Sequence, residues 1–255
     1  MKLVFLCLLS LCSACHTNPL KSLEHSLGVS NLQTFKRQAQ QERRDLTDKP
    51  NWDRPLLLKD LAELGFVNAI RPNKQHYQTA VVLGSTGPAM QSRIAYLIDL
   101  WNLGTRFDRV VFLTGDRILD ERDRLSNPGL AKNETQLFKK LWAQANLPEI
   151  LKQLPTRWID APKIQSGRPT TVSTIEAWRR QENLDHEDIL AISNQPFIDY
   201  QQCALLNYLP DTASVETVGP AANPDALIAV YLDALASCLE HCPGRSKFQH
   251  RLSTF

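Results

Sequence analysis

A glycine-rich turn carries residue types that suit anion binding. The stretch "VVLGSTGPAMQSR", residues 81–93, passes from an apolar run through glycines and hydroxyls into a helix that begins at a proline. Free backbone N–H groups at a helix start, together with hydroxyl donors, form a pocket for an oxyanion such as phosphate or carboxylate. The candidate binding residues of this turn are Gly84, Ser85, Thr86 and Gly87. The glycines either admit a ligand to the backbone or adopt positive φ, and a tight turn with capping hydroxyls is the structural alternative.

A second glycine turn, Thr114-Gly115-Asp116-Arg117, adds charges of both signs. Its arginine has the reach to contact an anion at the neighbouring turn, and Asp116 has the chemistry to hold a hydroxyl, a metal or a proton. The alternative for Arg117 is a surface salt bridge with the charged run "DERDR", residues 120–124.

Polar side chains also follow a later apolar segment, in Ser193-Asn194-Gln195. Asn194 and Gln195 offer amide donors and acceptors to a sugar, a base or a phosphate, whereas the alternative for Ser193 and Asn194 is helix capping. The stretch "SGRPTTVST", residues 166–174, places hydroxyls before another helix; alone it is an N-cap, and with the other turns it becomes a candidate rim.

These turns are positioned by alternating strands and helices. Short apolar segments predict strands at 79–84, 109–115, 157–161, 188–193 and 213–219, and helical periodicity predicts helices at 88–103, 132–146, 172–183, 196–208 and 224–239. Strands that are apolar on both faces indicate a parallel sheet covered by helices on each side. We therefore predict an α/β fold, a three-layer Rossmann-like domain with a mainly parallel sheet of about five strands. Ligands of such sheets bind at the carboxyl ends of the strands, where the three turns lie.

The histidines argue against two common kinds of site. None of them follows a predicted strand, and His76 and His186 precede strands, at the opposite edge of the sheet. A Ser-His-Asp triad is unsupported, and the paired spacing of a metal-binding motif is missing. We assign no metal site and no cofactor from the sequence.

The first residues have the plan of a secretory signal peptide. A single lysine precedes the apolar run 3–11, and small residues follow it. Ser13-Ala14-Cys15 is similar to the lipobox of bacterial lipoproteins, in which the cysteine is acylated; plain cleavage is the alternative. We expect the protein on the periplasmic side of a bacterial cell envelope, with Cys15 as its only membrane anchor.

The rest of the chain suits one large domain with a tether. We expect a leader at 1–15, an N-terminal tether with helices at 16–75, the Rossmann-like domain at 76–243 and a tail at 244–255. Within the tether, residues 30–44 have only a thin apolar stripe. They predict a polar helix or tether, which either binds a partner or is a solvated helix lying on the domain.

Charge and cysteines narrow the partners and the compartment. With 29 basic and 27 acidic side chains the chain is nearly neutral, which argues against nucleic acid as a partner. We expect a small anionic or glycan-type ligand, and we leave the oligomeric state open. In an oxidising compartment, we expect Cys203 to pair with Cys238 or Cys242.

The order of these features resembles the bacterial envelope family of uncharacterised domains that includes the SanA, ElyC and YdcF proteins. The matching residues are Gly84, Ser85, Arg93, Thr114, Gly115, Glu134 in "NETQLF", Thr171 in "PTTVST", Ser193 and Asn194. The resemblance covers about half of the chain and implies that Arg93, Thr114, Glu134 and Thr171 belong to the site. This chain departs from the family at Phe197 and Tyr200, where a histidine and an arginine are usual, and at Ser173 and Thr174, where Glu-Asn is usual.

Two functions follow as expectations. The first is an exported envelope protein that binds a small anionic or sugar-phosphate-like ligand at the carboxyl edge of the sheet. As an enzyme it would be a hydrolase or transferase in envelope maintenance, with Asp116 or Glu134 as acid, base or metal ligand. The alternative is a non-catalytic envelope binding or scaffold protein, which the loss of a cationic pair at Phe197 and Tyr200 favours.

Overall fold

A computed structural model describes residues 18–38, 41, 43–119, 123, 131–163 and 169–242. The predicted leader, its Cys15 and the predicted tail at 244–255 lie outside the described residues.

Five parallel strands form one sheet in the described part of the chain. They are β1 (His76–Leu83), β2 (Arg106–Gly115), β3 (Thr156–Ala161), β4 (Asp188–Ile192) and β5 (Ser214–Val218). Their order is β3-β2-β1-β4-β5, and every neighbouring pair is parallel. The predicted α/β fold with a five-stranded parallel sheet is therefore confirmed. Because β1 pairs with β2 on one side and β4 on the other, the strand order reverses between β1 and β4.

Helices cover both faces of the sheet. They are α1 (Pro19–Leu27), α2 (Arg54–Glu63), α3 (Gly87–Asn102), α4 (Glu134–Gln144), α5 (Glu149–Gln153), α6 (Thr171–Gln181), α7 (Ile198–Tyr208) and α8 (Ile228–His241). Successive residues of β1 point into different cores: Ala80 and Val82 pack in one cluster, Val81 and Leu83 in another. This alternation between two dry faces explains why residues 80–83 of β1 are apolar at consecutive positions.

The last helix begins four residues later than its periodicity predicts. Its start at Ile228 coincides with a cap from a distant residue, since both carboxylate oxygens of Asp48 accept backbone hydrogen bonds, from Ile228 at 3.1 Å and Ala229 at 2.8 Å. A carboxylate at a helix N-terminus satisfies free donors and complements the helix dipole. Sequence periodicity carries no information about such a cap.

The N-terminal region packs against α8. Leu23 of α1 and Leu57 of α2 share an apolar cluster with Leu232 and Leu235. Residues 30–44 were predicted to form a polar helix or tether, and one continuous helix is not what the structure shows: the described residues of this segment form short 3₁₀ helices at Leu32–Phe35 and Arg43–Asp45. The segment lies on the domain, as one alternative had it, because Leu32 is buried and because two arginines pair with an aspartate of α8.

A disulfide joins α7 to the end of α8. Cys203 and Cys242 are bonded, with their Cα atoms 5.6 Å apart, so the prediction that Cys203 pairs with one of the two later cysteines is confirmed. Cys238 keeps a buried thiol, with its sulfur 3.3 Å from that of Cys242. The three sulfurs lie within 4.8 Å of one another.

Candidate functional site at the carboxyl edge

Two arginines connect the turns that follow β1, β2 and β4. Arg93, in α3, bonds to the carbonyl of Gly84 and to the side chain of Asn194, which follow β1 and β4. Arg117, after β2, donates to the carbonyl of Ser85 at 3.0 Å. The three predicted turns therefore meet at one edge of the sheet, next to the place where the strand order reverses.

Arg93 is buried, with 1% of its surface exposed, and makes four hydrogen bonds. Its Nε and Nη2 donate to Oδ1 of Asn194 at 2.9 and 2.6 Å, and Nη1 donates to the carbonyls of Leu83 and Gly84 at 2.6 and 2.9 Å. Burial lowers the pKa of Arg93 to about 10, while Glu134 opposes the shift and Arg43 adds to it. Among the described residues Arg93 contacts dipoles and no carboxylate, so its charge has no direct counter-ion.

Arg117, in contrast, is neutralised within the protein. It donates to both oxygens of Asp123, at 2.7 and 2.8 Å, and to Oε2 of Glu134 at 2.8 Å. Burial by itself lowers the pKa of Arg117, but the bonds to Asp123 and Glu134 outweigh burial and raise this pKa above its ordinary value. The partner lies in the 120–124 run, as the salt-bridge alternative had it, but the pair is buried rather than on the surface. Arg117 therefore holds the loop after β2 and does not present a free guanidinium to a ligand.

The start of α3 already holds a carboxylate of the protein itself. Oδ1 of Asp123 accepts the backbone N–H of Gly87 at 3.0 Å, and Pro88 has no N–H to offer. Thr86 occupies the N-cap position without a side-chain capping bond, and Ser85 also has no side-chain hydrogen bond to a described residue. The predicted capping hydroxyls are thus not used for capping here, and both remain open to another partner.

Gly84 is a glycine because of its neighbours in the protein. A Cβ atom there would overlap the carboxylate of Glu134 and would lie 2.8 Å from the carbonyl oxygen of Leu113. Neither Gly84 nor Gly87 has a positive φ, which excludes that one of the two alternatives for both glycines. What requires the missing side chain at Gly84 is the close approach of the chain's own atoms.

The two candidate catalytic carboxylates have different surroundings. Glu134 opens α4, is 7% exposed and touches Gly84 and Arg117. Burial raises the pKa of Glu134, although the attraction of Arg117 opposes the shift. Asp116 is half-buried at the end of β2, where its backbone N–H donates to the carbonyl of Ala161 at 2.8 Å. Of these two carboxylates, only that of Glu134 lies against the turn after β1.

The remaining predicted residues belong to the framework of the edge. The buried hydroxyl of Thr114 bonds to that of Thr135 at 2.7 Å and to the carbonyl of Ile159 at 3.0 Å. Ser193 is buried and donates to Gln201. Gly115 lies where a Cβ would press on Pro169.

Thr171 starts α6 next to a capping box made by Thr170 and Ser173. The capping interpretation of this segment therefore holds. Gln195 is also structural, because its side-chain amide donates to the carbonyls of Gly65 at 2.7 Å and Asn68 at 2.9 Å.

Arg43 is a third arginine near these turns, and it was not predicted from the sequence. The Cζ atom of Arg43 lies 4.3 Å from the centre of the Phe197 ring, and its Nε donates to Oδ2 of Asp233 at 2.8 Å. One signal was available: Asp233 is a lone acid within the apolar stretch "IAVYLDALASC" of α8, and a buried carboxylate needs a cationic partner. Which arginine would supply the charge was not readable from the sequence.

No protein-family model matches this chain, and no curated protein matches its sequence significantly. In the described part of the chain, none of the helices combines the length and the apolar character that a membrane span requires.

Proposed function

We propose that this protein binds a small anionic ligand at the carboxyl edge of its sheet, between the turns that follow β1 and β4. Arg93 supplies the positive charge and Ser85 and Thr86 supply hydroxyl donors. One observation carries the proposal: a buried guanidinium without a contacting carboxylate bonds to the carbonyl of Gly84, and the next two residues carry half-buried hydroxyls that have no partner among the described residues.

The energetics of Arg93 favour an anionic ligand. Burying a guanidinium costs several kcal/mol in lost hydration, and amide and carbonyl dipoles recover only a part of that cost. The Asn194 oxygen and the two backbone carbonyls fix the guanidinium but leave its net charge in place. An anion bound next to it would offset the remaining cost, because opposite charges attract more strongly where water is excluded.

The cell envelope is the compartment that we propose. The leader with its lipobox-like Cys15 favours export and a lipid anchor. The disulfide between Cys203 and Cys242 supports this, because such bonds persist in oxidising compartments. Small ligands of the envelope with anionic groups include sugar phosphates and other phosphate-bearing glycan precursors, and this is the ligand class that we propose.

Catalysis is the second candidate function, and the state of Glu134 favours it. A carboxyl group with a raised pKa can donate a proton, as a hydrolase or transferase acting on a phosphate or glycan bond requires. Glu134 lies against Gly84, so it is next to the proposed ligand. Its bond to Arg117 gives it a structural role as well, and binding is therefore the function that the geometry supports best.

A thermal-shift screen tests the binding proposal. Phosphate, sugar phosphates, polyprenyl phosphates and carboxylates are added to the wild type and to a Ser85→Ala/Thr86→Ala double variant. A ligand at one hundred times its Kd adds about 2.7 kcal/mol to stability. We expect a phosphate compound to stabilise the wild type and to stabilise the double variant less. Thr212→Ala, which removes an exposed hydroxyl far along the chain, is the control. A wild type that no anion stabilises contradicts the proposal.

A further inference from the structure

Arg43 reaches the candidate site from a distant part of the chain. It begins the short 3₁₀ helix Arg43–Asp45, in the segment that lies on α8. Its guanidinium stacks on Phe197, three residues after Asn194 in the turn that follows β4.

A buried carboxylate fixes the Arg43 side chain. Asp233 is fully buried in α8, and its carboxylate accepts a hydrogen bond from Nε of Arg43 at 2.8 Å. The same carboxylate accepts two hydrogen bonds from Arg37, from Nη1 at 2.7 Å and from the backbone N–H at 3.1 Å. One negative charge thus serves two guanidinium groups, so the cluster of Arg37, Arg43 and Asp233 retains one positive charge.

The terminal nitrogens of Arg43 are left open. Only Nε bonds to Asp233, and the guanidinium plane is held by the Phe197 ring at 4.3 Å. Nη1 and Nη2 make no hydrogen bond with a described residue, and 29% of the side chain is exposed. An arginine whose orientation is fixed by a stacked ring and an ion pair loses little entropy when its remaining donors bind an anion.

Arg43 and Arg93 converge on the same turn. The backbone N–H of Phe197, below Arg43, donates to the carbonyl of Asn194 at 3.0 Å, and the side chain of Asn194 holds Arg93. Burial is the main cause of the lowered pKa of Arg93, Glu134 opposes that shift, and the charge of Arg43 adds a smaller lowering. Two like charges placed at one turn repel each other, and an anion between them would remove that repulsion.

We propose that Arg43 is a second cationic contact of the ligand site, and that the site therefore selects a group with two or more negative charges, such as a phosphate or diphosphate, over a carboxylate. This inference rests on the proposed function, since it assigns a further residue and a ligand charge to the same site. The competing explanation is that Arg43 only fastens the N-terminal segment to α8.

Calorimetric titrations of the full chain separate these explanations. Inorganic pyrophosphate, inorganic phosphate and acetate serve as probes at pH 7.5, at two salt concentrations. We expect pyrophosphate and phosphate to bind the wild type more tightly than acetate. Arg43→Gln should weaken pyrophosphate binding about tenfold or more, because a charge-assisted contact is lost, and should flatten its salt dependence.

Arg37→Gln is the matched control, because Arg37 shares Asp233 with Arg43 but does not stack on Phe197. We expect it to keep the pyrophosphate affinity within about threefold of the wild type, since it leaves the open donors of Arg43 in place. Equal affinities of Arg43→Gln and the wild type would overturn the inference and leave the proposed function standing. A wild type that binds none of the three probes would overturn both.

Folding is checked by circular dichroism before each titration. If Arg43→Gln does not fold, Phe197→Leu replaces it, because this change removes the stacking surface and keeps the charge. A loss of pyrophosphate affinity of about threefold or more in Phe197→Leu supports the inference, since the cation–π contact with this ring orients the guanidinium. An unchanged affinity in that variant overturns it.

Discussion

Arg93 and Asn194, 101 residues apart in the chain, form a bond in which two guanidinium nitrogens share one amide oxygen, at 2.9 and 2.6 Å. The bond joins the helix after β1 to the turn after β4, on the two sides of the point where the strand order reverses. Most parallel sheets leave a crevice there. In this protein a fixed, buried cation lies at that point.

The first prediction concerns that bond. Asn194→Ala should lower the free energy of unfolding by about 2 to 3 kcal/mol, because it leaves buried donors of a charged group unsatisfied. Urea denaturation measures the change. Asn207→Ala is the control, since Asn207 is exposed and bonds only to the carbonyl of His241; it should cost less than about 1 kcal/mol. Equal costs in both variants would show that Arg93 finds other partners.

The second prediction concerns the buried ion pairs of Arg117. Arg117→Ala should destabilise the ligand-free protein by about 3 to 5 kcal/mol, because Asp123 and Glu134 lose their cation in a buried place. A urea or thermal unfolding curve gives the value. Arg157→Ala is the control, because the Arg157 side chain is 59% exposed in its ion pair with Glu182. This change should lower the free energy of unfolding by about 1 kcal/mol or less. A small cost for Arg117→Ala would mean that this arginine is free for a ligand after all.

The third prediction is a pH dependence set by Glu134. Burial raises its folded pKa above the ordinary value of 4.5, so the neutral form is favoured in the folded protein. The stability that this preference contributes is present below the unfolded pKa and is lost as the pH rises through the folded pKa. Glutamine stays neutral throughout. The unfolding free energy of the wild type minus that of Glu134→Gln should therefore fall from pH 4.5 upward.

Denaturation curves between pH 4.5 and 8 test this sign. Glu149→Gln, which changes an exposed carboxylate of α5 to an amide, is the control for the substitution as such. A wild-type advantage that grows with pH would show that the attraction of Arg117 outweighs the burial of Glu134.

The fold was readable from the sequence because its signal is local. The three central strands, β1, β2 and β4, each contain a short run that is apolar at consecutive positions, and such a run needs cover on both faces wherever it lies. The five predicted strands match the observed ones to within three residues at each end. The start of α8 was missed by four residues because its cap, Asp48, comes from 180 positions earlier in the chain.

The site was only partly readable, because its contacts join distant residues. The glycine turns and polar residues after the strands were found from spacing, and the structure brings Gly84, Arg93 and Asn194 together. The sequence does not reveal that Arg117 forms an ion pair with Asp123 whereas Arg93 contacts no carboxylate, because both are arginines near the same turns. The position of Arg43 could not be predicted for the same reason, because its partner Asp233 is 190 residues away in the chain.

The fourth prediction concerns the cysteines. Peptide mapping without reduction should show Cys203 linked to Cys242 and a free thiol at Cys238. Because Cys238 is buried and burial raises the pKa of its thiol, alkylation should require denaturant. Replacing both linked cysteines by serine should cost about 2 to 4 kcal/mol, whereas alkylation of all three in the native protein would contradict the linkage.

The last prediction separates two reasons for a glycine. Gly84 has no positive φ, but a Cβ there would overlap Glu134 and crowd the Leu113 carbonyl, which accepts the Gly84 N–H at 2.7 Å. Gly104 is the reverse case, with φ at 102° and open space around a Cβ. Gly104→Ala should cost about 1 to 2 kcal/mol of backbone strain, and a second change at Glu134 should leave that cost unchanged.

Gly84→Ala should cost more than about 2 kcal/mol, and Glu134→Ala in the same chain should relieve a part of it. The Leu113 carbonyl keeps the relief incomplete, because it cannot move without breaking the bond between the ends of β1 and β2. Additive costs for Gly84→Ala and Glu134→Ala in unfolding experiments would show that the carboxylate simply moves aside, and that Gly84 is kept open for another reason.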